Sequence, residues 1–315
     1  MLYNLPKDFY QQLTSKYEEA IENGHMKFNG ESATHEVIHE KFDNSTIDVQ
    51  LTHLPSLIHR PDKGDQTKNV FAEPEPELTI LDSYGPEDEF RIVFNKYPVV
   101  AKHFMIITKE YKPQTTPLST NELIGSYTIL NHLKNLNLDE NWFAFYNCGE
   151  ASGASQPHKH IQFMTLPKNF ETYAEKLANT STPFIPSVRD EPLQNGDLPF
   201  AHFVARLPDN ASDLNEDDLT MYFVSLLQRA LTVLRENDSN SISYNVILTT
   251  KYMMIVPRAN GCYKDLGVNS CGILGLLLCK NEELFNLVKT DGPAEIFKSV
   301  GFPNTSGQKS DEYHY

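Results

Sequence analysis

Asn147-Cys148-Gly149-Glu150-Ala151-Ser152-Gly153-Ala154-Ser155-Gln156-Pro157-His158-Lys159-His160-Ile161-Gln162-Phe163-Met164 joins a run of small residues to a stretch whose side chains alternate in character. Period-two alternation predicts a β-strand, with His158, His160 and Gln162 on one face and Lys159, Ile161 and Phe163 on the other. Ahead of it, Gly149, Ala151, Ser152, Gly153, Ala154 and Ser155 leave the backbone free to curl, so that successive N–H groups turn toward one concave anion site. Imidazoles at the mouth of such a loop suit phosphoryl or nucleotidyl transfer. His160, central in the row, can attack phosphorus through one ring nitrogen of a neutral imidazole while the other donates its N–H to a carbonyl, which fixes the tautomer. Two other readings share the pattern. A solvated strand with two exposed histidines would alternate in the same way, and a His-x-His pair supplies two zinc ligands, although nothing nearby offers the third that zinc requires.

Outward from this stretch, the chain reads as interspersed helices and strands. Leu5, Phe9, Leu13, Tyr17 and Ile21 recur at helical spacing before Asn23-Gly24, a natural stop, and predict an opening amphipathic packing helix. Residues 59–77, with Pro61, Pro74 and Pro76 and no sustained period, read as a surface loop. Arg91 to Phe94, Val99-Val100 and Phe104 to Ile107 read as sheet strands, and Ser119-Thr120-Asn121-Glu122 as a capping box opening a helix toward Leu136. Trp142 to Tyr146 is a strand leading into the small-residue loop. Asp213 to Glu236 is the longest helical stretch, with acids early and Arg229 and Arg235 late, as the helix dipole favours. Ile242–Leu248 and Tyr252–Val256 predict a hairpin, and Ile273 to Cys279 is a further apolar run. Without regular βαβ alternation, this order favours an α+β fold around an antiparallel sheet.

Composition narrows the function. The 315 residues are 40% hydrophobic and 22% charged, which suits a large globular domain. A formal charge of −15 repels polyanionic nucleic acid, yet oriented N–H groups and a few cations can still make a locally positive pocket for a small nucleotide. Lys96, Lys159, Lys280 and Arg60 are candidates for those cations. No apolar run is long enough to span a membrane, and the charged N-terminal residues lack a secretory core, so the cytoplasm is expected, with the nucleus as a second location. Four cysteines without a Cys-x-x-Cys pair read as reduced thiols, some packed in the core. His103 and His202, in apolar strand contexts, read as structural.

Gly-Ala-Ser-Gln-x-His-x-His-x-Gln over residues 153–162, with Asn147 upstream, resembles the active-site signature of the histidine triad superfamily in its transferase branch, where glutamine replaces the third histidine. Within that branch it is similar to the diadenosine tetraphosphate phosphorylases, also called ATP adenylyltransferases. Phe94 to Val100, Phe200 to Val204, Tyr244 to Leu248, Val256-Pro257-Arg258 and the segments from Gly301 to Thr305 and Glu312 to Tyr315 extend the likeness over most of the chain.

The resemblance implies a histidine-triad-like antiparallel sheet flanked by helices, built from two fused, divergent halves. It implies one domain over residues 1–315, with loop 59–77 internal and the chain from about 200 completing the sheet. It further implies phosphorolysis of diadenosine tetraphosphate by inorganic phosphate to ADP and ATP through an adenylyl-histidine, reversibly. His160 would be the nucleophile, flanked by His158 and Gln162. The loop residues Gly153, Ala154, Ser155 and Gln156, together with Ser152, would donate to phosphate. Arg60, Asn95, Lys96, Asn147, Asn269, Ser270, Cys271, Leu276 and Lys280 would complete the substrate site. Arg60, Cys271, Leu276 and Pro157 depart from the lysine, threonine, methionine and acidic residue expected there, which bears on substrate preference. No tightly bound cofactor and no protein metal site are implied, only a magnesium ion accompanying the nucleotide, and the chain is expected to act as a monomer. Two rivals stand beside this reading. A hexose-1-phosphate uridylyltransferase shares the histidine pair and glutamine but would carry a Cys-x-x-Cys zinc element; a dinucleotide sensor would need no nucleophile.

Overall fold

The computed structural model describes residues 3, 5–59, 69–184 and 191–308. Arg60, part of the 59–77 loop and the final residues from Glu312 to Tyr315 lie outside them. In chain order the elements are α1 (Phe9–Glu22), β1 (Thr34–Lys41), β2 (Thr46–His53), β3 (Thr79–Tyr84), β4 (Phe90–Phe94), β5 (Phe104–Thr108), α2 (Thr120–Asn135), β6 (Trp142–Cys148), β7 (His160–Thr165), α3 (Tyr173–Asn179) and β8 (Phe203–Arg206). There follow α4 (Glu216–Glu236), β9 (Tyr244–Leu248), β10 (Tyr252–Pro257), β11 (Cys262–Tyr263), β12 (Leu266–Gly267), α5 (Ser270–Ile273), β13 (Leu276–Cys279), α6 (Glu282–Asp291) and α7 (Pro293–Val300).

Eight strands pair in one antiparallel sheet in the order β3-β4-β5-β7-β6-β9-β10-β8. The strand pair β6 and β9 joins two hairpins that lie far apart in the chain, with Asn147 directly opposite Asn245. One face of the sheet packs on α1, α2 and α4 through Phe104, Ile106, Ile161, Phe163, Val246 and Ile255. Phe104 and Phe163 stack with centroids 4.7 Å apart. The other face carries Phe143, Phe145, Met164, Ile247 and Met254, covered by the small sheet β1-β2-β13 and by α3 and α5 to α7.

Local chemistry explains the boundaries. Ser119 caps α2 and Glu122 bonds back to the Ser119 N–H, the capping box expected from sequence; Asn215 and Asp218 form a second one at α4. The apolar run from Ile273 to Cys279 is not one element. Gly275 takes φ +104° and breaks it into the end of α5 and β13, which lies parallel to β2. The β1-β2 hairpin, absent from the sequence reading, presents the alternating pattern of an outer sheet, with Val37 and Ile38 among charged neighbours.

Candidate active site

β7 sets the row of polar side chains by its pairing. His160 lies opposite Ile107 and Gln162 opposite both Met105 and Phe145, on the sheet face away from the large helices. Lys159 goes the other way and forms a buried ion pair with Glu122 at 2.7 Å while donating to the Pro117 carbonyl at 2.7 Å. It is a strut between β7 and α2, not a phosphate contact, because strand alternation points it into the helix layer.

His160 is 4% exposed and His158 1%. The His160 Nδ1–H donates to the His158 carbonyl at 2.8 Å, which leaves the in-plane lone pair on Nε2, the tautomer a nucleophile needs. The His158 Nε2–H donates to the Thr108 carbonyl at 2.8 Å, with the Asn69 carboxamide 3.1 Å from Nδ1. Burial lowers the pKa of His158, opposed in part by the carbonyls of Thr108 and Glu110. Gln162 accepts from the His103 Nε2–H at 3.0 Å, and this directs its own amide N–H groups elsewhere as donors. His103 is therefore tied to the row, where sequence gave it a packing role. His202 does keep that role: it donates to the Phe200 carbonyl, accepts from the Asn195 N–H, and burial pulls its pKa down to about 4.

The small-residue loop is closely fitted. Gly149 takes φ +82°, and a Cβ there would stand 2.4 Å from the Ile242 carbonyl oxygen; Gly153 takes φ +83°, and its Cβ would meet Asn269 at 2.8 Å. Glycine is required at both. The Ser152 hydroxyl donates to the Gly149 carbonyl at 2.5 Å, so it holds the loop's shape and does not face a ligand as expected. The N–H groups of Ala151, Ser152 and Gly153 are also spent locally, which leaves Ala154–Gln156 as the backbone run next to the row.

Asn147 lies across the strand pair from His160. Its Oδ1 accepts from Asn245 Nδ2 at 2.9 Å, Ser270 N at 3.0 Å and Ser270 Oγ at 2.7 Å, which turns its amide nitrogen away as the remaining donor. Asn269 caps α5 through Cys271 N and Gly272 N, and the Cys271 thiol sits 3.8 Å from Met164 sulfur, its pKa raised by burial. Thus Ser270 bonds to Asn147, Gly153 packs on Asn269, and Cys271 meets Met164, two residues beyond Gln162 on β7. Asn95 and Lys96 stand at the Gln162 end, where the Asn95 N–H donates to the His103 carbonyl and Lys96 pairs with Glu75 at 2.5 Å. Leu276 and Lys280 belong to β13 and its exit, reached from the row through α5.

Four contributors were not read from sequence. Gln114, 3% exposed, donates to the Asn147 and His160 carbonyls and accepts from the His160 N–H. Asn69 and Phe71 come from the end of the proline-rich loop, and Phe71 lies 5.1 Å from the His160 ring, so that end is not merely surface. Arg258, 1% exposed, donates to Asn245 Oδ1 at 2.5 Å. Only a local signal of side-chain type was available for these, since each meets the site across tens of residues.

An antiparallel sheet that presents a carbonyl-oriented imidazole beside a glycine-bearing loop defines an enzyme of nucleotidyl transfer. Comparison with known proteins carries this further. The Ap4A phosphorylase N-terminal domain matches residues 6–180 and the ATP adenylyltransferase C-terminal domain matches residues 196–303. The chain belongs to the Ap4A phosphorylase family. Diadenosine 5',5'''-P1,P4-tetraphosphate phosphorylase 2 of Saccharomyces cerevisiae is 38% identical, with 99% of this chain and 100% of that protein aligned. Protein APA1 of the same yeast is 36% identical over the same shares. The crystal structure of yeast Ap4A phosphorylase Apa2 in complex with Ap4A superposes with a TM-score of 0.84 at 34% identity, covering 96% of this chain and 100% of that one.

Proposed function

We propose that this protein phosphorolyses diadenosine tetraphosphate to ADP and ATP by a two-step exchange on His160. In the first step Nε2 of His160 bonds to the α-phosphorus as the bond to the bridging oxygen breaks and ATP leaves. In the second, an oxygen of inorganic phosphate bonds to that phosphorus, the N–P bond breaks and ADP departs; the reverse sequence makes the dinucleotide. The observation that carries this is the 2.8 Å bond from His160 Nδ1 to the His158 carbonyl, set in a chain that matches the family along both halves. It fixes the ring's orientation and places a proton on Nδ1, so that Nε2 is the nitrogen turned toward phosphorus.

The remaining groups donate hydrogen bonds to charge on the non-bridging oxygens, where most of the rate acceleration of such a reaction arises. Gln162, the Asn147 amide and the Ala154–Gln156 backbone fill that role at the α-phosphate. Asn95, Lys96, Asn269, Ser270, Cys271, Leu276 and Lys280, with Arg60, serve the rest of the dinucleotide, and magnesium arrives with the polyphosphate as part of the substrate. A glutamine cannot protonate a leaving group as an imidazolium would, which suits ATP, already a good anion. As proposed, the enzyme works as a monomer in the cytoplasm, with the nucleus as a second location; the four free thiols suit a reducing compartment.

Labelled diadenosine tetraphosphate with and without phosphate tests the reading. ADP and ATP formed only with phosphate support it; AMP accumulating at the same rate without phosphate would identify a hydrolase instead. His160→Ala should bind nucleotide yet yield no acid-labile adenylyl adduct by mass spectrometry.

A further inference from the structure

Arg258 is a buried cation with no carboxylate partner among the described residues. Four of its five N–H donors reach the carbonyls of Val300, Asn260 and Val268 and the side chain of Asn245. These bonds engage most of its N–H groups, yet carbonyl dipoles do not cancel a unit charge, and a buried charge ordinarily meets an opposite one. Burial lowers its pKa to about 9, so it is still charged at neutral pH. The cost of holding it there is unexplained by folding alone.

The position of this charge supplies the explanation. Asn245 accepts from Arg258 on one side of its carboxamide and, on the other, donates to Asn147 Oδ1 and to the Ser152 carbonyl. Asn147 is tied to His160 through Gln114, which donates to both backbone carbonyls, and its amide nitrogen remains as a donor beside the row. We infer that Arg258 is a positioning residue whose missing counter-ion is the phosphate of the bound nucleotide, polarising the Asn245–Asn147 relay toward the anion without touching it. The inference rests on the nucleotide reading of the site. Arg258 also adds positive charge behind the site in a chain of net charge −15.

The test is charge-selective affinity. A unit charge acting over about 10 Å at an effective dielectric near 20 changes the affinity of an anion by roughly fifteenfold. Dissociation constants for adenosine, AMP and ATP are measured by nuclear magnetic resonance titration on the wild type, Arg258→Met and Arg258→Lys. Arg258→Met should weaken AMP about tenfold, weaken ATP by at least as much, and change adenosine less than about twofold. Arg258→Lys, which keeps the charge and loses the fork, should hold the AMP-to-adenosine ratio within about threefold of wild type. Equal loss for adenosine and AMP in Arg258→Met makes the residue purely structural and overturns the inference, as does no loss at all. If Arg258→Met does not fold, the lysine variant decides, because a tenfold fall in its ratio contradicts a charge effect. Failure of the phosphorolysis reading would appear separately, as missing products from the unmutated enzyme.

Discussion

Gln114→Ala isolates the clamp that sets the distance between β6 and β7 at the site. The pairing of those strands runs from Trp142 opposite Thr165 to Phe145 opposite Gln162, and beyond it the Gln114 side chain replaces the ladder, donating to the Asn147 carbonyl at 2.9 Å and the His160 carbonyl at 3.2 Å and accepting from the His160 N–H at 2.8 Å. Truncation leaves three buried backbone groups without partners. Each such group costs about 1–3 kcal/mol, and entry of water recovers part of it, so the variant should lose roughly 3–5 kcal/mol of stability. The nucleophile should suffer independently, since a misplacement of about 1 Å in a reacting group can cost on the order of a hundredfold in rate. Urea denaturation gives the first quantity, and rapid-quench measurement of adenylyl-enzyme formation gives the second. A variant that unfolds within about 1 kcal/mol of wild type and forms the adduct at the normal rate would refute the clamp.

Three further outcomes are expected. Gly153→Ala forces a side chain into φ +83° and against Asn269 at 2.8 Å, so it should cost about 2 kcal/mol and depress adduct formation, checked by thermal unfolding and single-turnover kinetics. Gln162→Ala removes a donor to a charged oxygen worth about 1.5–3 kcal/mol and should slow both half-reactions by roughly ten- to 150-fold with the fold intact, whereas unchanged rates would make Gln162 a bystander. His202 should make the protein acid-sensitive: with its folded pKa near 4 and the unfolded value near 6.5, the unfolded chain takes the proton first, so stability present above about pH 6.5 falls by about 3 kcal/mol on descent to pH 4. His202→Gln should flatten that part of the stability profile in urea titrations.

Strand β7 and its approach were legible because alternation is a local property: His158, His160 and Gln162 declare their common face within five residues. The same rule, applied to Lys159, would have set it among the helices and not among the candidate phosphate cations, where its charge alone had placed it; it pairs with Glu122 instead. Helix α2 was equally legible, its capping box being complete within Ser119 to Glu122. What sequence could not give is partnership across distance. Gln114 reaches His160 over 46 residues and Asn245 reaches Asn147 over 98, and neither asparagine nor glutamine carries a mark of the partner it will find. Lys96 was chosen for its charge, but Glu75, 21 residues earlier, holds it. In the β1-β2 hairpin only β1 is weakly marked, its half-exposed strand mixing His, Glu and Lys with single Val and Ile residues; β2 does carry a local signal, since Ile47, Val49 and Leu51 alternate with Asp48 and Gln50 and are buried against the parallel strand β13.

The seam between β6 and β9 has a consequence during synthesis. β6 is buried along its whole length in the finished protein, yet the strand that satisfies its outer row of N–H and C=O groups follows about a hundred residues later. At an elongation rate of about 5–20 residues per second, the nascent chain carries that apolar edge open for roughly 5–20 s. An open apolar edge is a template for pairing with other chains. Messages truncated between the two strands should therefore yield insoluble product, and nascent protein should engage chaperones until Tyr244–Leu248 has emerged.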